Sequence, residues 1–207
     1  GDDDAGATPV RVVAVHRDTL EVVGPGFEGR VIPLTPDDDS DVATVGDWLL
    51  VDAVTRRPVR LLKRRSVFKR KSAGTGRRVQ LIAANVDTLL LVTSANQDFN
   101  PARLERYLAL AREAEVPPVV VITKADLAGD VAGYVTAARG LMPGLYAEAL
   151  DARSEEVGRV LAPWIARGQT LALLGSSGVG KSTLVNTLSG QAVQATLGIR
   201  EDDAKGR

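Results

Sequence analysis

The sequence predicts an α/β domain with a doubly wound sheet and a phosphate-binding loop (P-loop), preceded by a small all-β barrel. Three observations carry this. DTLLLVTS and PPVVVITKAD are continuous apolar runs, the pattern of strands buried on both faces of a parallel sheet. GSSGVGKST (Gly175–Thr183) is a glycine-rich run placed between another apolar run and a helical segment. Ahead of these, from Pro9 to about Leu62, short β-branched runs are separated by Gly, Pro and Asp.

In chain order, GDDDAGAT is too polar to pack and reads as a disordered leader, residues 1–8. VRVVAVH, TLEVV, RVIPL, DWLLVDAV and PVRLL follow, broken by GPG, TPDDDSD and VGD. Five short strands in so little chain suggest a barrel of the OB or SH3 type over residues 9–65. A linker over 66–79 contains SAGTG (Ser72–Gly76), whose composition is that of a hinge. From residue 80 to 207 the pattern is that of alternating strands and helices. Asn100 is a good N-cap, Pro101 fits the first helical position, and Leu104, Leu108 and Ala111 share one helical face. A helix over 131–141, a strand over 145–149, a helix over 154–166 and the strand in QTLALLG complete the alternation before the loop.

The 207 residues are 44% hydrophobic and 25% charged, an ordinary composition for a globular protein. No apolar run approaches the roughly 18–20 residues of a membrane span, so no membrane partner is expected and the cytoplasm is the expected location. The absence of cysteine excludes disulfides and thiolate metal sites, and the single histidine, His16, leaves little for a zinc site within this chain. His16 falls on a strand pattern and is expected to be structural. Net charge is zero but unevenly spread. Residues 1–55 hold twelve acidic and three basic residues, whereas 56–78 hold eleven Lys or Arg and no acid. Such a block is either a solvated segment or a phosphate-seeking surface. Phe68 within it either stacks on a base or packs; Trp48 and Trp164 are expected to be core or packing residues.

Gly175, Gly180, Lys181 and Ser182 satisfy G-x-x-x-x-G-K-[ST]. Such a loop turns successive backbone N–H groups inward around phosphate oxygens, and the helix N-terminus adds to the attraction. Gly175, Ser176, Ser177, Gly178, Val179, Gly180, Lys181, Ser182 and Thr183 are therefore the candidate phosphate-binding residues. Lys181 can reach the β- and γ-phosphates and the Ser182 hydroxyl can ligate Mg²⁺, which makes these two the candidate catalytic residues. TKAD (Thr123, Lys124, Ala125, Asp126) sits at the carboxyl end of a buried strand, where open α/β sheets bind ligands. An aspartate there can accept from both N1–H and the exocyclic amine of guanine, whereas adenine would leave it unpaired. Lys124 can cover the base with its stem. Alone, KAD is also what a polar turn closing a strand looks like; paired with a P-loop it favours guanine.

TKAD ahead of GSSGVGKST reverses the usual order of translation-factor-like GTPases and resembles that of circularly permuted ones. QLIAANVDTLLLVTSANQDFNPARLERYLALA, VVVITKADL and LLGSSGVGKSTLVNTLSG, with VGDWLLVD in the β-domain, are similar to the ribosome small-subunit-dependent GTPase A family (RsgA, also called YjeQ) over residues 9–207. The resemblance implies a circularly permuted P-loop GTPase domain preceded by an OB fold. It implies GTP/GDP and Mg²⁺ as ligands and hydrolysis of GTP to GDP and phosphate. It also implies a role late in small ribosomal subunit maturation, as a monomer bound to ribosomal RNA. Lys63, Arg64, Arg65, Lys69, Arg70 and Lys71 are then the expected RNA contacts. Two alternatives stay open: a nucleotide-gated RNA-binding module in which hydrolysis is incidental, and a permuted GTPase of another family. Thr123 replaces the commoner asparagine of the base motif, and the family's second base loop aligns with Glu148–Ala149. Switch loops, a D-x-P-G motif and a zinc-binding domain are expected beyond Arg207, with EDDAKG (Glu201–Gly206) opening a switch segment.

Overall fold

A computed structural model of the protein describes residues 6–35, 42–71 and 79–190, with only the backbone at Lys71 and Val79. The expectations for the first five residues of the leader, for the 72–76 hinge and for Glu201–Gly206 lie outside the described residues. Ala7 and Thr8, assigned to the leader, instead belong to the first strand, because both pair with the fourth. The chain divides into two units, Gly1–Val86 and Asp87–Arg207.

The first unit contains β1 (Ala7–Val15), β2 (Leu20–Gly24), β3 (Phe27–Val31), β4 (Trp48–Asp52) and β5 (Pro58–Leu61). They form one antiparallel sheet in the order β3-β2-β1-β4-β5. Alternate residues turn inward, as the two-residue period of a strand demands. Val10, Val12, Leu20, Val22, Phe27, Val31, Leu49 and Val51 make the core of this OB-like domain. Trp48 departs from expectation: it is 36% exposed, with the Arg11 guanidinium carbon 5.6 Å from its ring centre. His16 lies just past β1, its Nε2 3.3 Å from Glu21 Oε2 at the surface.

The basic segment is not a plain linker. Val67–Lys71 (β6) pairs antiparallel with Val79–Ala84 (β7) in a two-stranded ribbon. Phe68 is 5% exposed, so of its two readings the structure selects packing. Arg64, expected on RNA, is committed inside the unit. Its Nε donates to Asp47 Oδ1 at 2.8 Å, and its Nη2 to Asp47 Oδ2 and Val42 O at 2.7 Å each. Asp47 has no exposed surface and also accepts from the Thr44 N–H at 2.8 Å. Breaking a buried, bidentate pair strands a charge. Asp47→Asn is therefore expected to lower stability by about 3 kcal/mol in urea titrations. A change within about 0.5 kcal/mol, the scale of ordinary surface substitutions, would show the pair to be dispensable.

In the second unit, β8 (Thr88–Ser94), β9 (Pro118–Thr123), β10 (Tyr146–Ala149) and β11 (Leu171–Leu174) form an all-parallel sheet in the order β10-β9-β8-β11. The chain steps from β8 to β10 in one direction and returns to the far side of β8 for β11. The order thus reverses between β8 and β11, the switch point at which doubly wound sheets open a ligand crevice. Every residue of β8 is buried. Leu90, Val92, Val119 and Val121 point to the face covered by α3 (Glu156–Leu161) and α4 (Lys181–Ser189). Their neighbours Leu89, Leu91, Val120 and Ile122, also buried, point to the opposite face. There α1 (Pro101–Glu113) packs on β8 and α2 (Val131–Arg139) on β9 and β10.

The helix ends follow local chemistry. Asn100 Oδ1 accepts from the Arg103 N–H at 3.0 Å, and Leu104, Leu108 and Ala111 are buried, as the pattern requires. The α3 helix is shorter than the expected 154–166. Pro163 has no N–H to donate back to the helix, and Ala162, still in the helical region, is the C-cap. Trp164 packs against the core from this turn and meets Tyr146 at a centroid distance of 4.6 Å.

Candidate nucleotide-binding site

The P-loop runs from the end of β11 into α4. At Gly175 a side chain would strike the Val92 carbonyl, because β11 ends hard against β8. Gly178 and Gly180 have φ of +80° and +95°, a region open to glycine and strained for other residues. These turns leave Ser177 and Gly178 exposed at the crest, fold Val179 into the core at 1% exposure, and make Gly180 the N-cap of α4. The first helical N–H groups have no carbonyl one turn back to bond, so the helix presents them, with its positive dipole end, to an anion. Lys181 lies at the first helical position, its Nζ on the Gly175 and Ser176 carbonyl oxygens at 2.5 and 2.6 Å. Ser182, exposed, and Thr183 complete the first turn. Arg103 of α1 donates to the Ser176 hydroxyl, a contact between residues 73 apart.

TKAD lies at the end of β9. Thr123 is fully buried, and its hydroxyl points at the P-loop: Oγ1 lies 2.5 Å from Val179 O and 3.1 Å from Thr93 O. Thr123 is expected among the base contacts; its hydroxyl is engaged within the protein, on β8 and on the P-loop. It tethers the end of the base strand to the phosphate loop. Thr123→Val keeps the shape and strands a buried carbonyl, an expected loss of about 1–3 kcal/mol with faster nucleotide release. Unchanged stability and release rate would deny the tether. The Ala95 N–H, from the loop after β8, donates to Thr123 O at 2.8 Å, so three strand ends meet here.

Lys124 takes a left-handed conformation, φ +58°, and turns the chain into a 3-10 turn, Ala125–Leu127, that carries Asp126. Asp126 keeps 29% side-chain exposure and accepts from Arg153 at 2.8 Å. Glu148 and Ala149 are not in a loop. Both lie in β10, where Glu148 Oε2 is 3.7 Å from the Arg139 guanidinium and 3.5 Å from the Tyr146 hydroxyl. Burial, then the Glu148 charge, push the Tyr146 phenol above its usual pKa. The segment that reaches Asp126 comes next. Leu150 O accepts from the Ala125 N–H at 3.3 Å, and Asp151 and Arg153 form an ion pair beside it. The Arg153 hydrogen bonds hold the Asp151 carboxyl below its usual range. In sequence, DAR carries little signal; its place beside Asp126 follows from the pairing of β10 with β9.

Of the basic residues, Lys63, Arg65, Lys69 and Arg70 are exposed, and Arg70 Nε donates to Gln80 Oε1 across the β6–β7 ribbon at 3.0 Å. Lys71 ends β6, and its side chain lies outside the described residues.

A P-loop after β11 and a T-K-x-D turn after β9, on a parallel sheet whose chain order puts the second first, define a circularly permuted GTPase-type nucleotide fold. The RsgA GTPase family pattern matches residues 61–207, and the chain belongs to that family. It is 50% identical to the small ribosomal subunit biogenesis GTPase RsgA of Mesorhizobium japonicum, across 99% of this chain and 59% of that protein. It is 48% identical to RsgA 2 of Vibrio vulnificus, across 95% of this chain and 55% of the relative. The chain thus spans a little over half the length of these relatives. Among solved structures it is similar to YjeQ from Thermotoga maritima, with a TM-score of 0.67, 23% identity and coverage of 88% of this chain and 65% of that one. It is also similar to YloQ, described as a circularly permuted GTPase, with a TM-score of 0.61, 21% identity and coverage of 87% and 63%.

Proposed function

We propose that this chain binds GTP and GDP and, in the protein to which it belongs, hydrolyses GTP during biogenesis of the small ribosomal subunit. The observation that carries this reading is the joining of the P-loop to the base motif through the Thr123–Val179 hydrogen bond. The proposed phosphate cradle and the Asp126 carboxylate then follow the ends of strands in one sheet, which supports a single site. Membership of the RsgA GTPase family, with relatives that are small ribosomal subunit biogenesis GTPases, supports the reaction and the ribosomal role.

In this reading the P-loop amides and Lys181 neutralise phosphate charge, which grows on the bridging and terminal oxygens as the bond breaks. The Lys181 ammonium is at the loop and leaves its two carbonyl partners for phosphate oxygens, which are stronger acceptors. Asp126 reads guanine N1–H and the exocyclic amine, and Lys124 covers the base. Asp151–Arg153, in place of Glu148–Ala149, is the segment that flanks Asp126 at the base site. Mg²⁺ suits the exposed Ser182 hydroxyl, a hard oxygen donor. No group of three His, Cys, Asp or Glu side chains suited to a metal occurs among the described residues. The ion would rest on Ser182 and phosphate oxygens, where it would supply charge neutralisation. The zinc implied by the resemblance concerns residues beyond Arg207.

The OB-like unit and the basic residues Lys63, Arg65, Lys69 and Arg70 are the proposed ribosomal RNA surface, and Arg64 supports it from within. Among the described residues no helix is long and apolar enough to cross a membrane. A monomer working in the cytoplasm fits a ribosomal partner. GTP turnover with and without small ribosomal subunits tests the function, measured on this chain and on one extended to the length of its relatives. Stimulation by subunits in the extended chain is expected. Binding to subunits with turnover unchanged would favour a nucleotide-gated binding module.

A further inference from the structure

Asp126 and Asp151 stand at the ends of neighbouring strands, and one guanidinium serves both. The Arg153 Nη2 donates one hydrogen to Asp126 Oδ2 at 2.8 Å and the other to Asp151 Oδ2 at 3.0 Å. Arg153 Nε closes the fork on Asp151 Oδ1 at 3.0 Å, and the Arg153 backbone N–H donates to the same oxygen at 3.0 Å. Arg153 is therefore anchored on Asp151 by three hydrogen bonds and reaches Asp126 by one. Two carboxylates that share one nitrogen repel each other once the cation is removed.

We propose that Arg153 is a positioning residue of the base site, which holds the Asp126 carboxylate in the orientation that reads guanine by offsetting the Asp151 charge beside it. This rests on the assignment of Asp126 to guanine. The contact uses one lone pair of Oδ2 and leaves Oδ1 and the second lone pair of Oδ2 for the two parallel donors of the base. Guanine brings neutral donors and no counter-charge, so the need for Arg153 persists when the base is bound. Asp151 is then part of the same device: it fixes the guanidinium, and it becomes the source of the repulsion if the guanidinium is lost.

The experiment compares GDP with IDP, whose base lacks the exocyclic amine, on the wild-type chain and on Arg153→Met, Arg153→Met/Asp151→Asn and Asp126→Asn. All are titrated at low and high salt, with thermal melts to establish folding. Arg153 is 68% exposed at its side chain, so Met is expected to leave the melt unchanged. Arg153→Met is expected to lose about 2–5-fold in GDP affinity at low salt, the scale of an exposed ion pair. IDP should lose less, so the GDP/IDP ratio should fall, and the deficit should shrink at high salt. The double variant, with the repelling charge gone, is expected to recover to within about 2-fold of wild type. Arg153→Met with unchanged or tighter GDP binding, or a double variant as weak as the single, would overturn the positioning role while Asp126→Asn still abolishes the GDP preference. If Asp126→Asn keeps that preference, the guanine assignment itself fails and this inference with it.

Discussion

Lys181→Ala is expected to lower GTP turnover by about 10²–10³-fold, the usual cost of removing one preorganised group that stabilises transition-state charge. Its effect on GDP affinity should be smaller, roughly 10–100-fold, as expected for charged hydrogen bonds to phosphate. The variant should remain folded. Lys181 heads α4, and its Nζ contacts are with carbonyls of its own loop, Gly175 and Ser176. The turns of that loop are held elsewhere, by positive φ at Gly178 and Gly180 and by the Thr123 hydroxyl on Val179. Single-turnover measurements on the extended chain, with circular dichroism to verify folding, check this. Turnover within a factor of about three of wild type, well under the roughly two to three orders of magnitude at stake, would remove Lys181 from the phosphate site.

Asp126→Asn is expected to reduce GDP affinity by roughly 10²-fold, because the new amide presents a donor to a donor on the base. Xanthine carries a carbonyl where guanine carries its amine, so the same substitution should raise affinity for XDP. Asp126 sits on a short 3-10 turn with 29% side-chain exposure and belongs to no core cluster. The exchange should therefore leave stability nearly unchanged. A reversal of preference at constant stability separates base reading from a structural role.

The parts of this site that lie within one local segment were legible in the sequence. The P-loop declares itself by glycine spacing, since Gly175 has no room for a side chain and Gly178 and Gly180 need positive φ. Its placement between β11 and α4 followed from apolar periodicity. The strands of both sheets were similarly readable. Where a strand is buried on both faces, as β8 is, its composition reflects that burial alone.

What was not legible depends on pairing across long separations. VFKRK gives little alternation, and its strand state comes from hydrogen bonds to Val79–Ala84. Nothing local to Arg64 distinguishes it from Lys63. It is committed to Asp47 because the fold brings back together two residues 17 positions apart. Thr123 was assigned to the base from its motif, yet its direction is set by a loop 56 residues later. The position of Asp151–Arg153, rather than Glu148–Ala149, beside Asp126 has the same origin. The register of β10 on β9, Ala149 opposite Ile122, carries Glu148 and Ala149 into the strand and leaves the next residues at its mouth.

In the proposed function, one site holds phosphates at Gly175–Thr183 and guanine at Asp126. Calorimetric titration of the chain and of Asp126→Asn with GDP, XDP and ADP tests it most directly. The wild type is expected to prefer GDP and the variant XDP, with ADP binding weakly to both. Equal affinity of the wild type for GDP and ADP, or a variant that keeps its preference for GDP, would contradict it.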